Sequence, residues 1–518
     1  MKIVIVGGGT AGWTTAILMA SRWPSHQIVV IESSKIGVIG VGESTTGFLT
    51  DILINFNSDM GMDHDEFIVE TGATLKYSIK HKGWTNNIDD YYHGPIDGSS
   101  TKESTPDAMF AYALKYLKPK QYPDVSECGY WITHGLSNFN KFTNRFENYR
   151  HAMHVDAHLV GKYFKKKTLI RPNATHIDAV VSKANLDERG FIKSVTLADG
   201  SDVEGDFFID CTGFSKMLMK EMPGNGWESY QKNLPLNTGL PFQLKYLDDE
   251  MPEPYTTAWA QKNGWMWQIP LMDRKGCGYV FCDAFTTPDK AQEEIETILK
   301  RPIDPIKVIK FDTGRQKSAW INNCVTIGLS SAFLEPLEAT SIHTTIVQAR
   351  TLAFEFIKHN IEDTINSGSI NIYNQRTRRI FDDVKDFLVM HYMGGRDDTE
   401  FWKYISSGAT KTPYVADLLE MAKHKLPTVN DFPSYVGSAG WALYSYVMAG
   451  INRIDISKMS NELDIEVAQG NIEFIAREHY YDLQDEYRKK AKQYHTYDDF
   501  IRYFRKIRYE NGFSDLKP

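Results

Sequence analysis

Residues 3–32 restrict this chain more tightly than any other stretch, because they spell out a complete strand–turn–helix–strand unit. Ile3 to Val6 is a short unbroken apolar run, the pattern of a strand buried on both faces of a parallel sheet. Gly7-Gly8-Gly9-Thr10-Ala11-Gly12 then fits GxGxxG, and Trp13 to Ser21 reads as a helix carrying Ala16, Ile17, Met19 and Ala20. Gln27 to Ile31 is a second strand, ending at Glu32. The acid stands about twenty residues past the glycines, the spacing of a dinucleotide-binding βαβ fingerprint. The physics behind the pattern is specific. Glycines let the backbone approach a pyrophosphate, a helix N-terminus offers free N–H groups, and an acid at the strand end takes ribose hydroxyls. Gly7, Gly9, Thr10, Ala11, Gly12 and Glu32 are the candidate nucleotide-binding residues. A second glycine-rich stretch, Gly37-Val38-Ile39-Gly40-Val41-Gly42-Glu43-Ser44-Thr45, follows; taken alone it reads as a flexible loop.

Two later segments read as strands of the same domain: Asp206 to Gly213, and Cys324 to Ser331 running into Ala332–Thr340. The nucleotide domain is thus expected to be discontinuous, assembled within residues 1–350, with an inserted substrate-binding sheet at about 216–310. Residues 351–518 read as mainly helical and end in an amphipathic stretch, Asp498 to Arg505. A net charge of −8 and a pI near 6.0 argue against a nucleic-acid partner, which wants a basic face. Lys165-Lys166-Lys167 and the Arg488–Lys492 region read as solvated surface. The five cysteines (Cys128, Cys211, Cys277, Cys282, Cys324) are scattered and odd in number, which suits reduced thiols in the cytoplasm. No run of 18 apolar residues appears, so no membrane helix is expected. His154 and His158, four apart on an expected helix, have no third ligand at suitable spacing, so no metal site is expected.

Gly264-Trp265-Met266-Trp267-Gln268-Ile269-Pro270 puts two indoles on one face of an extended strand, closed by a proline that cannot continue the ladder. Such a pair is either plain core or a wall for a flat ligand. GxGxxG at the start and GWxWxIP in mid-chain together resemble the flavin-dependent halogenases, the tryptophan halogenase family. Further stretches resemble that family over roughly residues 1–420: Gly72 to Lys80 with Trp84, Asp156-Ala157-His158-Leu159, Asn322 through Glu338, and Arg396-Asp397-Asp398-Thr399 with Phe401-Trp402. The resemblance implies an α/β enzyme with an FAD-binding GxGxxG (Rossmann-like) flavin monooxygenase-type fold, a substrate sheet and a helical C-terminal region. It implies FAD used as FADH2, a separate flavin reductase, O2, halide and a small aromatic substrate. By position it makes Lys76 and Glu338 catalytic, and Gly40, Val41, Gly42 and Glu43 a strap over the flavin. It brings Gly328 and Leu329 to the isoalloxazine ring and assigns halide to Thr340 and Ser341. His93, Trp265, Trp267 and Trp441 become substrate-binding residues. Oligomeric state stays open, a homo-oligomer included.

Two departures from the family pattern bear on specificity. Glu338-Ala339-Thr340-Ser341-Ile342 stands where the family commonly has Glu-Ser-Thr-Gly-Ile. Loss of a hydroxyl and gain of a side chain there suggest bromide or iodide in preference to chloride. The stretch Phe432 to Trp441 lacks the acid of the Tyr-Tyr-Glu cap in enzymes that take free tryptophan, and Pro95 stands where an aromatic would sandwich an indole. An amino acid's charges would go unpaired in such a site, so an indole, phenol or other electron-rich arene is expected instead. The competing readings are a flavin-dependent aromatic hydroxylase and a non-catalytic FAD-binding protein. GWMWQIP and the Lys76 and Glu338 segments weigh against the first, and the presence of both Lys76 and Glu338 weighs against the second.

Overall fold

The computed structural model describes residues 1–37, 40, 42–55, 60–87, 90–92, 126–149, 151–425, 427, 431–432, 440–454 and 472–514. The chain divides into two compact units. One comprises Met1–Gly72, Val155–Tyr230 and Asp312–Asp382, the other Ala73–His154, Gln231–Phe311 and Asp383–Pro518.

The first unit is built on a six-stranded sheet in the order Ala174–Asp178, Gln27–Glu32, Lys2–Val6, Phe207–Asp210, Cys324–Thr326, Trp320–Ile321. All pairs are parallel except the last. Ile3, Val4 and Ile5 are wholly buried, as an unbroken apolar run requires of a central parallel strand. Val4, Val29 and Phe208 pack one face against Leu218 and Met219. The first helix, Thr10–Arg22, starts earlier than its apolar periodicity indicates, with Gly9 as N-cap. The Cys324 strand is shorter than expected. It ends at Thr326, because Gly328 turns the chain with φ 75° into a one-turn 3-10 helix, Gly328–Ser330. Helix Thr340–Thr351 follows, so helical structure begins ahead of residue 351.

The second unit carries a seven-stranded sheet in the order Ile309–Lys310, Thr238–Leu244, Lys275–Phe281, Gly264–Pro270, Tyr255–Ala260, Ser78–Lys82, Asp90–Tyr92. Two of its strands therefore come from residues 78–92, far ahead of the tryptophan strand. Phe242, Met266, Tyr279 and Phe281 bury one face against Ala291 and Ile295 of helix Pro288–Leu299, which Thr287 caps. A smaller sheet joins Leu136–Asn140 to Tyr494–Thr496, and helix Tyr497–Glu510 packs Phe500 and Phe504 on Phe139. Among the described residues no helix is long and apolar enough to cross a membrane.

His154 and His158 do not share a helix. Asp156 accepts from the His158 and Leu159 backbone N–H groups and so starts helix Ala157–Leu169, leaving His154 on the strand Ala152–Val155. The cap residue itself is extended, which is why an Asp at this point separates the two elements.

Candidate active site

The glycine turn of the first unit obeys two different demands. A Cβ on Gly7, whose φ is 110°, would stand 2.2 Å from the Cys211 carbonyl oxygen, and one on Gly12 would stand 1.8 Å from that of Gly7. A Cβ on Gly8 would stand 1.6 Å from Glu32 Oε2. Gly9 differs, because a Cβ there meets no atom within 4 Å. It also N-caps the helix, and no side chain of its own caps the first-turn N–H groups. Thr10 Oγ1 donates to the Ala157 carbonyl oxygen at 3.3 Å. Ala11 faces Gly328, where a Cβ would stand 2.7 Å from the Ala11 Cβ; Leu329 continues that turn.

Glu32 is held by three groups. Trp13 Nε1 donates to Oε2 at 3.1 Å, Lys165 Nζ donates to Oε1 at 2.5 Å, and His176 Nε2 lies 3.1 Å from Oε1. Lys165 and His176 escape a sequence reading; of the Lys165-Lys166-Lys167 run, expected to be solvated surface, only Lys166 is exposed, whereas Lys165 and Lys167 are half-buried. Lys166 pairs with Glu66 and Glu70, and Lys167 with Glu66. A signal for Lys165 exists in hindsight. Gly161 faces the Gly8 carbonyl oxygen, and a residue four further along a helix shares that face.

The second glycine-rich stretch meets the N-terminal end of helix Ala157–Leu169 at Gly40. A Cβ on Gly40 would stand 2.8 Å from that of Ala157, and Gly42 has φ 138°. Val41 lies outside the described residues. Burial, reinforced by the Asp156 carboxylate, pushes the Glu43 carboxyl up to about 7. Thr46 Oγ1 and His343 Nδ1 are 3.0 Å apart, and Phe48 meets the same imidazole edge-on. Burial lowers His343 to about 4, so the ring is neutral at ordinary pH.

Glu338 is 6% exposed and ends the one-turn 3-10 helix Pro336–Glu338. Ala339 then takes a left-handed φ of 57°, and Thr340 and Ser341 begin the next helix. Their carbonyl oxygens accept from the Thr344 and Thr345 hydroxyls, both at 2.8 Å. Ser341 thus has helical backbone that any residue adopts, and the strained position is Ala339.

In the second unit Lys76 closes the strand Thr74–Lys76, pairs with Ala152, and is 1% exposed. Trp265 and Trp267 share one face of their strand, with ring centroids 6.2 Å apart. Trp265 is buried, and its Nε1 donates to the Tyr392 hydroxyl at 3.1 Å. Trp84 and Trp402 complete that aromatic nest, 5.7 Å apart and each packed on Tyr392. Trp267 lies across Gly278, where a Cβ would stand 2.1 Å from the ring. His93 and Pro95 fall outside the described residues, as does the side chain of Trp441, whose backbone belongs to helix Gly440–Gly450.

A parallel sheet with a glycine-rich first turn and an acid closing its second strand defines a dinucleotide-binding α/β protein. The sequence profile of the tryptophan halogenase family matches residues 2–455, and the chain belongs to that family. It is 30% identical to the tryptophan 6-halogenase SttH of Streptomyces toxytricini over 88% of this chain and 90% of that one. To the tryptophan 7-halogenase RebH of Lentzea aerocolonigenes it is 30% identical over 78% of each. The SttH structure superimposes with a TM-score of 0.84 at 26% identity, covering 97% and 99% of the two chains. The flavin-dependent halogenase BrvH of Brevundimonas sp. BAL3 gives 0.78 at 26% identity, covering 97% and 99%. The protein is accordingly a flavin-dependent enzyme of the halogenase class, and the cofactor of that class is FAD, used as FADH2. Enzymes of the class halogenate aromatic compounds with O2 and halide, and take reduced flavin from a separate reductase.

Proposed function

We propose that this chain halogenates a small electron-rich arene, an indole or phenol, through hypohalous acid guided to Lys76, with bromide or iodide preferred over chloride. The observation that carries the reading is the burial of Lys76. A lysine is almost never wholly buried unless it is paired, and a buried amine can hold a small electrophile by hydrogen bond or as a haloamine. Glu338, also buried, would take the proton that the ring releases when the halogen is bound.

The first unit is read as the FAD carrier. Open space at Gly9, an uncapped helix N-terminus and the close Ala11–Gly328 approach suit a pyrophosphate and a ring held by backbone. Glu32, oriented by Trp13, Lys165 and His176, has an acceptor position left for ribose hydroxyls. Gly40, Gly42 and Glu43 would form the strap. The bound cofactor, once reduced, supplies the O2 chemistry that oxidises halide. Thr340 and Ser341, at a helix start, are the proposed halide contacts, and Trp265 and Trp267 would keep the arene from the flavin.

The test is a competition with equal chloride, bromide and iodide over indoles, phenols and free tryptophan, using wild type and Lys76→Ala. Halogenated indole or phenol, led by bromide or iodide and lost in the variant, is expected. Chloride leading would overturn the halide reading, and preferred turnover of free tryptophan would overturn the substrate reading. Product that survives Lys76→Ala would overturn the role of the lysine.

A further inference from the structure

We propose that His154 is a positioning residue for halogen transfer: with Thr74 and Thr256 it braces the Lys76 strand against the end of the tryptophan strand. The inference rests on the reading of Lys76 given above. Thr74 and His154 are wholly buried and Thr256 is 5% exposed. The Thr74 hydroxyl donates its single hydrogen to the Pro270 carbonyl oxygen at 2.5 Å, so its oxygen is left to accept. His154 Nδ1–H fills that role at 3.1 Å. His154 Nε2 is then the acceptor, and it takes the Thr256 hydroxyl at 2.9 Å.

One line of hydrogen bonds thus ties together four strands: Thr74–Lys76, Ala152–Val155, Tyr255–Ala260 and Gly264–Pro270. Thr74 stands opposite His154 in the ladder and shares a strand face with Lys76, two residues on. The bonds therefore act on the same side of the strand as the lysine. Pro270 ends the strand that bears Trp265 and Trp267. Burial, and the Lys76 charge nearby, hold the imidazole well below its usual basicity. It braces without placing a second cation beside the ammonium. No apolar side chain could do the same, because a strand shifted by about 1 Å costs on the order of a hundredfold when an electrophile must be aimed.

The experiment compares wild-type holoenzyme with His154→Leu, His154→Gln and Thr256→Val, each loaded with FAD and supplied with FADH2, O2 and bromide. Three quantities are read: bound FAD, free hypobromous acid trapped by phenol red, and brominated arene. In His154→Leu, FAD binding and oxidant output should persist while brominated arene falls about tenfold. His154→Gln keeps a donor and an acceptor on an uncharged side chain and should recover a large part of the product. Wild-type bromination in His154→Leu, no rescue by His154→Gln, or a parallel fall of oxidant and product would overturn the proposal. Should His154→Leu fail to fold, Thr256→Val removes one bond of the same line and is judged by the same split. Lys76→Ala serves as the reference. If it still brominates the arene normally, the lysine reading fails, whatever the His154 variants do.

Discussion

Gly9 and Gly12 are the same residue type three positions apart, under opposite constraints. Gly12 is required by the protein itself, since any side chain would strike the Gly7 carbonyl oxygen, whereas Gly9 faces open space. Gly12→Ala should therefore lower the melting temperature of the cofactor-free protein. Gly9→Ala should leave that melt unchanged and weaken FAD binding about tenfold or more, read by flavin fluorescence titration. Loss of apo stability in Gly9→Ala would show that the open space is not what the residue serves. Residues of this kind are legible in a sequence because only glycine satisfies them. Lys165 and His176 are not, because any polar residue can be read as surface until the helix and strand that carry them are placed. Ala339 shows the limit from the other side. Its left-handed φ is invisible in a residue type that normally avoids it.

Among the elements, the second glycine-rich stretch and the helix Ala157–Leu169 are linked through charge. Glu43 binds its proton more tightly in the folded state, about 7 against 4.5, with burial as the larger cause and Asp156 the smaller. Its contribution to stability is thus complete below about pH 4.5 and is lost as pH rises through about 7. Glu43→Gln should raise the melting temperature of the cofactor-free protein above that range and change little below it. An unchanged pH profile would show that the Glu43 carboxylate is not strained. Asp156→Ala should cost about 1 kcal/mol by denaturant unfolding, since two backbone N–H groups lose their acceptor. Asp156→Asn keeps the cap, removes the charge facing Glu43, and should match wild type below about pH 4.5. Element type followed from sequence wherever one pattern ran long, as in the first βαβ unit and the Tyr497–Glu510 helix. It failed at the short strand Ala152–Val155, where His154 was expected to share a helix with His158 and the capping Asp156 in fact separates them. Strands Ser78–Lys82 and Asp90–Tyr92 likewise join a sheet whose other members lie far along the chain, a pairing no local window contains.

At the scale of the whole molecule, a single GxGxxG unit serves one dinucleotide, and family membership makes that FAD. Chemically reduced FAD should therefore replace the reductase entirely, giving halogenated product without any nicotinamide. A strict requirement for NADH or NADPH, measured with the purified chain and photoreduced FAD, would contradict this. The family was legible because its motifs are spread from residue 7 to residue 402 and are unusual in both residue type and spacing. Substrate choice was much less so, since it depends on side chains converging from distant segments.

The contact between Gly8 and Glu32 has a consequence for directed evolution. A Cβ at position 8 would lie 2.4 Å from the Glu32 Cβ as well as against its carboxylate, so shortening the acid does not make room. In a library randomised at positions 8, 9 and 32 and sorted only for soluble expression, position 8 should return glycine beside almost any partner. Position 9 should return a mixture. A second sort for retained flavin colour would then narrow position 9 and leave position 8 as it was.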